Sequence, residues 1–117
     1  WVTTQLTDSF DEEIEIEILT LIIPFDKKGA METFLLDALA EDKDDKVVVD
    51  AARRFVDGCK SEKYLQSDRD KVKAELGVSF AVMVPDKVFT PINNLLTSVP
   101  WKEYKTVQES FCLLEQI

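Results

Sequence analysis

Histidine is absent from this 117-residue chain, and glycine occurs only three times. Without His the chain lacks the commonest general base near neutral pH and the commonest zinc ligand. Three glycines cannot build a Gly-rich phosphate cradle, and no nucleophile-elbow, phosphate-loop, dinucleotide or zinc signature occurs. Cysteine is scarce too. Cys59 and Cys112 form no metal-ligand spacing. One disulfide is open to them, but they read more simply as two reduced core thiols of a cytosolic protein. No run approaches the ~20 apolar residues of a membrane span, and no signal-peptide pattern opens the chain. The expectation is no membrane contact and a cytoplasmic location.

Positive charge is also in short supply. Fourteen Lys and Arg stand against 23 Asp and Glu, a formal net charge of -9. Such a surface repels phosphate backbones, so by itself this chain is a poor nucleic-acid binder. Position 1 is Trp instead of Met. That reads as a processed, proteolysed or truncated chain, a single domain or part of one spanning 1–117, with functional residues able to lie upstream.

What is present is globular in character: 45% hydrophobic residues, with seven Phe among them. The organising stretch is 13–40. Ile14, Ile16 and Ile18 alternate with Glu13, Glu15 and Glu17, the period of a strand wet on one face. Leu19, Leu21, Ile22 and Ile23 then read as a strand end covered on both faces, stopped by Pro24. Phe25 to Gly29 is a turn. A helix follows over 29–41, with Met31, Phe34, Leu35, Ala38 and Leu39 at helical spacing. Ahead of this unit, 1–10 reads as a short edge strand or an ordered tail. Asp11, Glu12 and Glu13 invite a metal reading, but acids at a strand start usually sit in solvent.

Downstream the pattern is helical. A second helix over 45–59 carries Val48, Ala51, Ala52, Phe55, Val56 and Cys59 on one face, with an Asp of the 41–45 link as its cap. Its polar face includes an Asp50–Arg54 pair. Tyr64 and Leu65 anchor the next loop. A third helix opens at Ser67 in a variant capping box with Asp70 and carries Val72, Leu76, Phe80 and Met83 on one stripe. Gly77 is its weak point, and Val78 to Val84 is β-branched enough for a strand to be conceivable. Pro85 breaks the chain. Short helical turns then direct Phe89, Ile92, Leu95 and Leu96 inward. Ser98 caps a last helix with Pro100 in its first turn and a stripe of Trp101, Tyr104, Val107, Phe111 and Leu114.

One constellation has chemical potential: Glu32 at the mouth of the buried strand, with Lys71 and Lys73 on the third helix. A carboxylate holds Mg²⁺ or Mn²⁺, and a lysine steadies phosphate. One acid is too few for a hard-cation site. The helix dipole alone accounts for Glu32, and solvation alone accounts for the lysines.

The runs IIPFDKKGAMETFLLDAL (22–39), YLQSDRDKVKAEL (64–76) and VPWKEYKTVQESFCLLEQI (99–117) resemble the C-terminal half of an uncharacterised bacterial and archaeal family. That family is similar to the Toprim domains of overcoming-lysogenization-defect nucleases. The resemblance implies metal-dependent phosphodiester hydrolysis, with Glu32 as a ligand of Mg²⁺ or Mn²⁺ and Lys71 or Lys73 as the catalytic cation that meets phosphate. The family's first-strand Glu and its Asp-x-Asp pair are absent from this chain, which as it stands should lack catalysis. Either a missing N-terminal half supplies them along with the nucleic-acid surface, or this member has lost the chemistry.

The expected fold is α/β and mostly helical: one central strand, with room for one or two short ones, packed by four to five helices as the C-terminal half of a Toprim-like domain. The alternative function is a non-catalytic helical interaction module using the 101–114 stripe or an open strand edge, with self-association through the C-terminal helix.

Overall fold

In a computed structural model of the protein, residues 2–7, 13–23, 29–60, 62–87, 89–112 and 114 are described. The elements are β1 (Val2–Thr7), β2 (Glu13–Ile18), α1 (Met31–Leu39), α2 (Lys43–Cys59), α3 (Asp68–Met83), α4 (Ile92–Leu96) and α5 (Lys105–Phe111). Two 3₁₀ turns, Pro85–Lys87 and Trp101–Glu103, bracket α4.

The helix starts follow from local hydrogen bonding. Asp42 caps α2 by accepting the Asp44 and Asp45 N–H groups at 2.8 and 3.1 Å. Ser67 caps α3 by accepting the Asp70 N–H, and its hydroxyl donates to the Asp70 carboxylate at 2.7 Å. At α1 the N-cap is Ala30, which has no side chain to offer, so the Thr33 hydroxyl reaches back to accept the Ala30 N–H. Gly29 belongs to the same arrangement: a Cβ there would stand 3.0 Å from Thr33 Oγ1. α2 ends on Lys60 in the left-handed region at φ 42°, two residues beyond Gly58.

α1, α2 and α3 form the body, with α2 on α3 the most extensive helix contact. The buried cluster is Leu36, Leu39, Val49, Leu76, Phe80 and Leu95, flanked by half-buried Val72, Met83, Leu96, Trp101 and Tyr104. Trp101 Nε1 donates to the Leu96 carbonyl at 2.6 Å, which satisfies the indole as it packs. α5 lies on α1, where Phe111 meets Phe34 edge-to-face at 6.4 Å.

The expected α/β architecture is overturned. The protein is mostly helical, and among the described residues no strand runs through the helical body. β1 and β2 pair only with each other, antiparallel, from Val2 opposite Ile18 to Thr7 opposite Glu13. Every member of the buried cluster is helical. A central strand needs a partner on each edge, and the described chain offers only one other strand. The stretch expected to be a doubly covered strand end, 19–23, is not strand, and Ile22 is 72% exposed. Val78 to Val84 is no strand either: α3 runs through Gly77 to Met83, with the Ser79 hydroxyl donating to the Glu75 carbonyl one turn back.

Smaller expectations also give way. Phe89 and Ile92, expected inside, are exposed, and so are Cys59 and Cys112, expected as core thiols. Leu36, outside the expected face of α1, is fully buried, while Met31 is exposed. The long last helix is a 3₁₀ turn and then a seven-residue helix. Ser98 does not cap it; its hydroxyl donates to the Leu95 carbonyl. Asp50 pairs with Lys46 at 2.8 Å, where Arg54 was expected. The acidic entry at Asp11 and Glu12 and the turn from Pro24 to Lys28 lie outside the described residues. The radius of gyration is 18.8 Å, against about 13 Å for a compact domain of this length. No described helix is long and apolar enough to cross a membrane.

Candidate functional site

Glu32 stands in the first turn of α1, half-exposed, where the positive end of the helix dipole favours it. Lys71 and Lys73 are exposed on the first two turns of α3. α1 and α3 do pack together, so the elements bearing these three residues are neighbours. Lys71 also acts on Glu75, one turn along its own helix, where it is the smallest of the influences on that carboxyl. Among the described residues no group of three or more His, Cys, Asp or Glu side chains could hold a metal ion.

Two charged arrangements that sequence reasoning missed join distant elements. In the first, Arg53 of α2 reaches across to α1 and α3. Its Nη2 donates to Asp37 Oδ1 at 3.1 Å, and its Nε stands 3.9 Å from Glu75 Oε2. Burial pushes the Glu75 carboxyl above its ordinary value, and Asp57 adds to this, while Arg53 and Lys71 pull it back. The signal was available, since Arg53 and Asp37 sit at the margins of their helices' apolar faces. Only the packing of three helices could reveal that the margins meet.

In the second, Glu41, just past α1, accepts the Lys105 N–H at 2.7 Å and the Thr106 N–H at 2.6 Å. α5 has no side-chain cap of its own, so a carboxylate 64 residues away supplies one. Burial pushes Glu41 up, but the bonds from Thr106 and Lys105 and the Lys105 charge bring it below its ordinary value. Around it, Tyr104 is pushed up by burial and by Asp45, Asp42, Glu103 and Glu41. These groups cap and tether helices.

One surface feature that local structure leaves unexplained is on α2. Val49, Ala52 and Val56 face the core. Val47, Ala51 and Phe55 form a second row at steps of four on the outer side, with Val47 66% and Phe55 61% exposed. The apolar arc of this helix is wider than the core it covers. By contrast the Trp101 to Leu114 stripe is engaged at home over most of its length, with Trp101 and Tyr104 packed on the cluster and Phe111 on Phe34, while Leu114 is 47% exposed.

No protein-family model matches the chain, and neither a curated protein nor a solved structure does.

Proposed function

We propose that the chain is a non-catalytic helical interaction module whose contact face is the outer row of α2, and that its partner is an amphipathic helix with basic flanks. The exposure of Val47 and Phe55 on the back of a core helix carries the reading. Residues at i, i+4 and i+8 make a ridge about 12 Å long, which fits the groove of a partner helix. The total accessible surface is 8874 Å², against about 6,500 Å² for a compact chain of 13.4 kDa, so surface to cover is in excess. At long range the net charge of -9 draws in a basic segment and repels an acidic one, while around the row itself Lys43, Lys46 and Arg54 balance Asp44, Asp50 and Asp57.

A synthetic helical peptide with a leucine face and lysine flanks is the probe, followed by fluorescence anisotropy. It should bind the wild-type chain, lose at least about tenfold in affinity with Phe55→Ser, and weaken as salt rises. All three side chains on the row are solvent-exposed, so the substitution leaves the fold intact. Equal binding to wild type and Phe55→Ser would sink the reading. So would calorimetric heat with Mn²⁺ that disappears in Glu32→Ala, because that would give the metal-dependent alternative a ligand.

A further inference from the structure

A notch opens between α3 and α4, with Thr90, which leads into α4, in its lining. It is lined by Gly77, Phe80, Ala81, Thr90, Ile92 and Leu95 and has a volume of about 140 Å³. Phe80 and Leu95 belong to the buried cluster, so the notch reaches the core. Its floor is low because Gly77 and Ala81, one turn apart, bring almost no side chain; nothing lies within 4 Å of where a Gly77 Cβ would be. An apolar cavity of ~150 Å³ holds a benzene-sized ring. Beside the notch, next in sequence to Thr90, stands Phe89, which is 100% exposed.

We infer that this patch is a self-association site in which Phe89 of each of two copies inserts into the notch of the other. Knob and hole are neighbours in the chain, since Phe89 directly precedes Thr90 of the notch lining. A two-fold axis between them sets each ring over the facing hole, and the contact closes as a dimer without propagating into a fibre. The size of the hole fits the ring. The charge also permits it. Although the chain carries -9 overall, the nearest exposed charges in the chain are Lys73, one turn before Gly77, and Asp86 and Lys87, whose turn is bonded to Thr90 through the Lys87 carbonyl, while Glu75, nearer to Gly77, is turned to Arg53. All three are exposed, and two of the three are cations, so the exposed charges nearest the patch do not share the acidity of the whole chain. The area is modest. Two rings and their rims stay below the ~1,200 Å² of a standard interface, so the dimer is weak and forms at protein concentrations on the order of 0.1–1 mM.

Sedimentation equilibrium of the full chain tests this. Wild type should show a reversible monomer–dimer equilibrium. Phe89→Ala, which removes the knob, and Ala81→Leu, which fills the hole from an exposed position, should each weaken it at least about tenfold. A mixture of the two variants retains one good insertion, and its heterodimer should be tighter than either variant's homodimer. Phe55→Ser should dimerise like wild type, which separates this patch from the outer row of α2. The inference is overturned if wild type stays monomeric to about 1 mM, if Phe89→Ala dimerises undiminished, if the mixture shows no recovery, or if Phe55→Ser abolishes the dimer.

Discussion

Replacing Glu41 by Ala should release α5 from α1 while leaving the three-helix body folded. The Glu41 carboxylate accepts two backbone N–H groups at 2.7 and 2.6 Å, and α5 has no other side-chain cap. Loss of an N-cap typically costs about 0.5–2 kcal/mol, and bonds to a charged acceptor lie at the upper end. The site is open to solvent, so the raw sum of two charged bonds overstates the effect. About 1–2 kcal/mol is expected, a factor of about 5–30 in the local opening equilibrium. Amide hydrogen exchange resolved by residue is the assay: protection at Lys105 and Thr106 should fall by that factor while protection at Val49 and Leu76 holds. Glu41→Gln retains one acceptor oxygen and should lose roughly half as much. The pH dependence has a definite sign. The folded-state value lies below the unfolded one, so the contribution is full above the unfolded carboxylate range and lost as pH falls through the folded value. Unchanged exchange at Lys105 and Thr106 in Glu41→Ala would refute the tethering argument.

Arg53→Gln removes the cation beside Glu75, so its carboxyl, already raised by burial, should rise further, as read by NMR titration. An acid whose folded value exceeds its unfolded one is a penalty at neutral pH that disappears on acidification, so this variant should regain stability as pH falls through that window. Phe80→Ala empties the centre of the cluster and should cost about 3–5 kcal/mol in urea unfolding, whereas Phe89→Ala should cost almost nothing. Asp42→Ala leaves the Asp44 and Asp45 N–H groups without their acceptor and should cost about 1 kcal/mol by thermal unfolding.

Where local chemistry sets the structure, the residues could be read. Ser67 and the Asp-rich link place the starts of α3 and α2 because caps are short-range bonds. The Leu76 and Phe80 stripe is buried as its spacing implies. The strand of Glu13–Ile18 forms as its alternation implies, but its place in the fold was not legible: nothing within the segment states whether helices will cover it. The same limit applies to α2. Val48, Ala51, Phe55 and Val56 share a broad apolar arc, and only the direction of approach of α1 and α3 decides which half is used. The last helix misled because Trp101 and Tyr104 have the right period, yet Pro100 and the Glu41 tether start the α-helix later, at Lys105. Of the candidate site, the positions of Glu32, Lys71 and Lys73 on helix starts were legible. The clasp of Arg53 on Asp37 and Glu75 was not, because it joins three helices separated in the chain.

The buried cluster is drawn from α1, α2 and α3, with Leu95 the one member beyond Phe80. Its closing loops are therefore short, and loop-closure entropy grows with length. During synthesis the body can assemble as soon as Met83 has cleared the ribosome, with Trp101, Tyr104 and α5 docking afterwards as a late lid. A chain cut after Val84 should therefore resist protease across 36–80, and rapid cleavage there would show that the body waits for its last segment.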